Sequence, residues 1–241
     1  MIEFQNVSFS YDGKTPIVQK IDLVIKKGET VGLIGANGAG KSTIMKLMLG
    51  LLAGEGSIFI DGIQVKKQNL PQIRKKTGYV LQDSDNQMFM PTVYEDMMFG
   101  LRNYGMTKDA AEARVDAVLG QLGLQDLKYR YNHKISGGEK RMAAIATVLA
   151  MQPEVILMDE PSTALDPVNR RIVIRTIQSL PQTKLIASHD LDMILETCDR
   201  VILLSRGTVV ADGDCRTILK DRELLEKNRM ELPLCMQAMG I

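Results

Sequence analysis

The chain has 241 residues, 45% apolar and 24% charged, a globular composition that excludes a disordered chain. Thirty Lys and Arg stand against 29 Asp and Glu, a net charge of +1. That lacks the basic excess of a free-standing nucleic-acid binder, so no nucleic acid is expected as a partner. No apolar run approaches the ~20 residues of a membrane span.

The opening residues, Met1 to Phe4, carry neither the basic nor the apolar region of a secretory leader. Three cysteines at wide spacing (Cys198, Cys215, Cys235) fit neither a disulfide framework nor a zinc knuckle, and they agree with a reducing cytosol. Ile2 and Phe4 alternate, then Val7, Phe9 and Tyr11 alternate in the other phase, which predicts a strand with a bulge. Ile21, Leu23 and Ile25 predict a second short strand, and residues 30–34 a buried one. A glycine-rich loop follows, then a helix over 42–52. Between 83 and 151 helical periodicity takes over, with methionines at 88, 90, 97, 98, 106, 142 and 151. Ala111, Val115, Val118, Leu119 and Leu122 form one helical face, with Thr107 or Asp109 to cap its start and Gly123 to end it. A second helix carries Met142, Ile145, Ala146 and Leu149 and stops before Pro153. Strands return at 155–158, 184–188, 201–204 and 208–211. Between them Asp166-Pro167 opens a helix. Strands alternating with helices predict an α/β fold with a mostly parallel sheet, an antiparallel N-terminal part and an inserted helical subdomain.

Three motifs carry chemistry. Gly35-Ala36-Asn37-Gly38-Ala39-Gly40-Lys41-Ser42 matches G-x-x-x-x-G-K-[ST], after a buried strand and at a helix start. Glycines let backbone N–H groups converge on phosphate oxygens, and the helix N-terminus adds positive potential. Lys41 should reach the β- and γ-phosphates, and the Ser42 hydroxyl should hold Mg²⁺. Second, an apolar strand delivers Asp159 and Glu160 to its C-terminal end, expected beside the phosphate loop. Asp159 would help hold Mg²⁺, and Glu160 would polarise the attacking water as general base. Third, Ser136-Gly137-Gly138-Glu139 opens a helix and makes a second anion site. Two anion sites on separate subdomains of one chain find a use in a dimer that sandwiches ATP between the phosphate loop of one copy and the Ser-Gly-Gly of the other.

In the order and spacing of these motifs the chain resembles the ATP-binding cassette ATPases over essentially its whole length. The matching landmarks are Tyr11, the 35–42 loop, Gln82, Ser136 to Glu139, Asp159-Glu160, Asp166 and His189. The resemblance implies a single P-loop NTPase cassette over 1–241, with an ATP-binding core at 1–82 and 152–212, a helical subdomain at 83–151 and a C-terminal helical tail at 213–241. It implies ATP and Mg²⁺ as ligands: Tyr11 on the adenine; the loop residues Gly35, Asn37, Gly38, Ala39, Gly40, Lys41, Ser42 and Thr43 around the phosphates; Gln82 on Mg²⁺ and the attacking water; His189 on the γ-phosphate. Ser136, Gly137, Gly138 and Glu139 would act in trans, and Asp166 would cross a dimer interface.

Residues 82–100 look like the energy-coupling-factor ATPases, which drive uptake of transition metals and vitamins, and residues 136–151, with the Glu231-Leu232-Pro233 tail, look most like their cobalt/nickel subgroup. That branch implies a membrane importer in which this chain sits on the cytoplasmic face. It would pair with itself or a sibling cassette and drive a transmembrane scaffold and a separate substrate-binding membrane subunit. Vitamin uptake and a non-transport cassette ATPase are the alternatives. Glu139 where the superfamily often has Gln, Ser162 for Thr, Leu81 for Phe and Met142-Ala143 for a basic-Val pair are departures that touch no phosphate ligand. The Met-rich stretch 88–98 reads either as core filler or as a pliable groove for a helix of a membrane partner.

Overall fold

A computed structural model describes residues 1–237. Two sheets organise the chain. The first is antiparallel, with strand order β2-β1-β4-β5: β1 Ile2–Ser10, β2 Pro16–Ile25, β4 Glu55–Ile60 and β5 Ile63–Gln64. The phase slip in β1 appears as a register shift between Phe4 and Val7. The second sheet runs β10-β9-β3-β8-β7-β6: β3 Thr30–Ile34, β6 Thr77–Val80, β7 Val155–Asp159, β8 Thr183–Ala187, β9 Arg200–Ser205 and β10 Thr208–Asp214. Strands β9, β3, β8, β7 and β6 are parallel, and β10 is an antiparallel edge.

Helices fill the rest: α1 Lys41–Met48, α2 Leu70–Lys76, α3 Ser84–Gln87, α4 Val93–Asn103, α5 Lys108–Leu122, α6 Gly137–Ala150, α7 Pro167–Ser179, α8 Leu191–Thr197, α9 Cys215–Lys220, α10 Arg222–Lys227 and α11 Leu234–Gln237. The helical tail expected at 213–241 overlaps the end of β10, which runs to Asp214; α9 to α11 follow, with 228–233 irregular between α10 and α11, and its last four residues lie outside the described residues.

The apolar runs of the parallel strands follow from burial on both faces. Val31, Leu33, Val155 and Leu157 pack toward the antiparallel sheet and α1. Ile34, Ile156 and Met158 pack toward the helices on the other side. In α5 the residues Ala111, Val115, Val118 and Leu119 are buried as the periodicity required; Gly123 ends it at φ +68°, while Thr107 stands at its N-cap without a side-chain bond.

Two expectations needed correction. The second strand is not short: it starts at Pro16 and pairs with β1 along its length, up to Ser10 opposite Pro16. The helix after the phosphate loop ends at Met48, because the chain turns at Gly50, φ +60°. Between β3 and β7 lies β8, which pairs with both. Such order is a non-local pairing that no local pattern encodes.

Candidate nucleotide site

The C-terminal ends of β3, β7 and β8 open on one edge of the sheet, where ligands bind in such folds. There the loop after β3 turns into α1. Gly40, at φ +106°, lies so near β2 that a Cβ would come 2.8 Å from the Ile17 carbonyl, so only glycine fits. The Lys41 side chain is buried and folds back into the loop, donating to the carbonyls of Gly35 (2.7 Å) and Ala36 (3.4 Å). Burial lowers the Lys41 pKa, against the opposing pull of Glu160 and Asp159. An ammonium so desolvated is a ready partner for a polyphosphate.

Asp159, the last residue of β7, is buried; its Oδ2 accepts from the Tyr79 hydroxyl at 3.2 Å. Burial and the Asp159 charge push the Tyr79 phenol well above its usual range, so it stays a donor. Asp159 Oδ1 is buried with no hydrogen-bond partner among the described residues. Such an orphaned carboxylate oxygen costs free energy unless something else meets it, and it fits a hydrated divalent cation.

Glu160 follows in a left-handed conformation, φ +49°. Its N–H donates to the Ala187 carbonyl at 2.8 Å, which carries its side chain across the end of β8. Its Oε2 accepts from the Ser188 hydroxyl (3.1 Å) and the His189 N–H (3.2 Å), and lies 2.8 Å from His189 Nδ1. The His189 side chain is 63% exposed where Glu160 is 8%, so the imidazole reaches outward from a buried carboxylate.

These groups border one cavity of about 1390 Å³. Tyr11, all of Gly35 to Thr43, Gln82, Asp159, Glu160 and His189 line it. Tyr11 is 61% exposed at the rim, its ring edge-on to Phe9 and its hydroxyl 3.4 Å from Thr43 Oγ1.

The structure does not bring Ser136 to Glu139 into that cavity. They open α6 elsewhere on the chain. Ser136 Oγ accepts from the Glu139 N–H (3.2 Å), and Glu139 Oε2 accepts from the Ser136 N–H (2.7 Å), a reciprocal capping box. Gly138 passes so close to the Asn169 side chain that a Cβ would overlap it. Asn169 in turn donates to Asp166, whose Oδ1 caps α7 through the Val168 and Asn169 N–H groups. The signature and the Asp166 loop are therefore neighbours within one chain.

Several residues escaped sequence inspection. Ser188 and Asp190 flank His189, but nothing local marked them. Arg170, Thr163 and the tail residues Arg229 to Leu234 also line the cavity. Arg141, buried in α6, donates to the carbonyls of Leu81 (2.6 Å) and Gln82, tying the signature helix to the loop that bears Gln82. Within the helical unit, Asp96 of α4 accepts from the Phe89 and Met90 N–H groups and from the Asn132 amide. The thiols of Cys198 and Cys215 are buried and pushed up to about 12, which leaves them inert.

A phosphate loop on a parallel sheet, paired carboxylates one strand away and a histidine on the strand between define a P-loop nucleotide-hydrolysing cassette. The sequence matches the ABC transporter family over residues 18–163, and the chain belongs to that family and is an ATPase. It is 41% identical over 239 residues to the energy-coupling factor transporter ATP-binding protein EcfA of Methanothermobacter thermautotrophicus, covering 97% of this chain and 77% of that one. Among solved structures it is similar to cbiO1 from Clostridium perfringens, part of the ABC transporter complex cbiONQ (TM-score 0.85, 32% identity, 100% and 98% of the two chains). It is also similar to the dimeric post-hydrolysis cassette MJ0796 bound to ADP and Pi (TM-score 0.80, 27% identity, 90% and 99%).

Proposed function

We propose that this chain is the energy-coupling ATPase of a membrane importer, acting as a dimer that closes on two ATP molecules. The observation that carries it is the split site: everything that would meet the phosphates from behind lines one cavity, while Ser136 to Glu139 lie outside it. A second cassette, a copy or a sibling, would supply its Ser136, Gly137 and Gly138 to the γ-phosphate, with Asp166 at the interface. The dimeric, ADP- and Pi-bound state of the similar cassette supports that arrangement.

In this reading Tyr11 takes the adenine and the 35–43 loop the phosphates. Ser42, Gln82 and Asp159 would hold Mg²⁺, which when bound neutralises phosphate charge. Glu160 orients and deprotonates the attacking water, and His189 meets the γ-phosphate, which requires its ring to leave Glu160 Oε2 for the substrate. Closure moves the 83–151 helical unit relative to the core at 1–82 and 152–212.

Among the described residues no helix is long and apolar enough to cross a membrane. Transport therefore acts through separate transmembrane subunits, with this chain peripheral on the cytoplasmic face. A groove of about 240 Å³ between β6 and the helical unit suits a partner helix. Phe89 and Phe99, exposed and edge-to-face at 5.0 Å, stand on its rim. Of the methionines of 88–98, Met88, Met97 and Met98 are core, and the apolar lip of the groove is aromatic. Cobalt or nickel ions are the cargo that the resemblance in 136–151 and the 231–233 tail favours, and the similarity to cbiO1 and EcfA supports the wider energy-coupling-factor branch.

Isolation of the tagged chain from native membranes in mild detergent tests the reading. Two cassettes recovered with a multi-span scaffold and a small substrate-binding membrane protein are the expected outcome. Recovery with ribosomes or DNA, or from the soluble fraction alone, would refute the importer and spare the ATPase.

A further inference from the structure

Between the general base and the dimer-facing Asp166 runs the loop 160–166. Two of its residues, Glu160 and Ala164, hold left-handed conformations at φ +49° and +61°. Non-glycine residues keep such backbone only where the surroundings over-determine it. Here the surroundings converge on one carboxylate. Asp190 Oδ2 accepts from Arg170 Nε (2.6 Å) and the Ser162 hydroxyl (2.9 Å); its Oδ1 accepts from Arg170 Nη2 (2.8 Å) and the Met193 N–H (2.9 Å). The Asp190 N–H donates to Ser188 Oγ (3.1 Å), and that hydroxyl donates to Glu160 Oε2 (3.1 Å).

Arg170 lies one helical turn after Asp166, whose carbonyl accepts the Arg170 N–H at 2.9 Å. The fork joins the start of α7 to the turn that carries His189. Its side chains are only 25% and 20% exposed, so the pair is not a screened surface contact. Forked, charge-assisted bonds fix orientation as well as distance. Within the loop itself the Thr163 hydroxyl also reaches Glu160 Oε2 at 3.4 Å, but the fork is what joins that loop to both α7 and the His189 turn.

We infer that Arg170 is a positioning residue for hydrolysis: by clamping Asp190 it makes the Asp166 end of α7, the 160–166 loop and the Ser188-His189 turn move as one body. A displacement of Asp166 by the partner cassette then reaches Glu160 and His189 without slack. In its absence the link between Asp166 and Glu160 falls to the loop's own long bonds, the Thr163 N–H to the Glu160 carbonyl (3.2 Å), the Thr163 hydroxyl to Glu160 Oε2 (3.4 Å) and the Leu165 N–H to the Ser162 carbonyl (3.4 Å). The inference rests on the catalytic roles proposed for Glu160 and His189, and deepens them.

Steady-state ATP hydrolysis by the full chain tests it with Arg170→Ala, Arg170→Lys, Asp166→Ala, the Asp166→Ala/Arg170→Ala pair and Glu160→Gln. Arg170→Ala lowers kcat about 10- to 100-fold, the cost of misplaced reacting groups. KM stays within about twofold, because Arg170 need not touch ATP. Arg170→Lys recovers only part of the loss, since an ammonium cannot make the fork. The decisive readout is non-additivity. Asp166→Ala lowers kcat alone but adds less than about twofold once Arg170 is gone.

Effects that multiply, a loss confined to KM or to melting temperature, or an Arg170→Lys variant with wild-type kcat would overturn the inference. Should Arg170→Ala not fold, Asp166→Ala combined with Arg170→Lys gives the same test. Glu160→Gln separates the two failures: if it hydrolyses ATP like the wild type, the underlying catalytic assignment falls. If it is inert while the Arg170 variants are normal, only the clamp falls.

Discussion

On the nucleotide side of this chain the groups converge before any ligand arrives: Lys41 is already drawn into its loop, and Glu160 is already held by Ser188 and His189. On the signature side, Ser136 and Glu139 satisfy each other in a capping box, outside the cavity, with nothing within 4 Å of where a Cβ on Gly137 would sit. One side is organised inward, around a buried carboxylate pair; the other is organised to hold a helix start ready for an outside ligand. The difference teaches where the free energy of ATP acts. In the proposed dimer the convergent side would bind and prime, and the open side would gain its partner from the second cassette.

The largest effect that sharpens this contrast is Glu160→Gln. Removing the proposed general base should cost about 10²- to 10⁴-fold in kcat, while an amide keeps the shape and should leave nucleotide binding intact. The variant should accumulate as an ATP-bound dimer, seen as a doubling of mass in light scattering with ATP and its absence with ADP. A monomer under both conditions breaks the split-site reading.

A smaller effect separates the two sides from each other. Lys41→Ala removes a charged phosphate contact and should weaken ATP binding about 10- to 100-fold. Gly138→Ala leaves the cavity alone but forces a Cβ into Asn169, which carries Asp166. It should bind ATP like the wild type, by fluorescent-nucleotide titration, and hydrolyse it about tenfold more slowly. Equal loss of binding in both variants would mean that the two sides are not separate.

Much of the convergent side was legible because its signals are local. The glycine-lysine-serine spacing, the apolar strand into Asp159-Glu160 and the Asp166-Pro167 helix start are each read within ten residues. The periodicity of α5 was legible for the same reason. What escaped was long-range. That β8 intervenes between β3 and β7 is a pairing choice, and the Arg170–Asp190 fork and the Asp96–Asn132 tie join residues 20 and 36 positions apart. Arginine on a helix surface is ordinarily solvated, so nothing in the sequence marks Arg170. The Met-rich stretch misled in part, because methionine fills cores and lines grooves alike, and the exposed aromatics on its rim carried no periodic signal.

The smallest effect uses one carboxylate from each side, and the two should respond to acid with opposite sign. Burial raises Asp190, but Arg170, the Met193 N–H and Ser162 outweigh it and hold the carboxyl below its ordinary value. A depressed carboxyl contributes stability that is present above its unfolded value, about pH 4, and is lost as pH falls through the folded one. Asp96, in α4 of the helical unit that carries the signature, is held above its ordinary value by burial, which its bonds to Met90, Asn132 and Phe89 offset only in part. Its contribution is fullest below about pH 4 and declines as pH rises through the folded value. The melting-temperature gap between wild type and Asp190→Asn should therefore close on acidification from pH 6 to pH 3, while the gap between wild type and Asp96→Asn should widen. Circular dichroism melts at half-unit steps over that range suffice. Gaps that run the same way would show that the two carboxylates sit in equivalent surroundings, and that the contrast between a charge-stabilised catalytic side and a desolvated signature side does not extend to their buried acids.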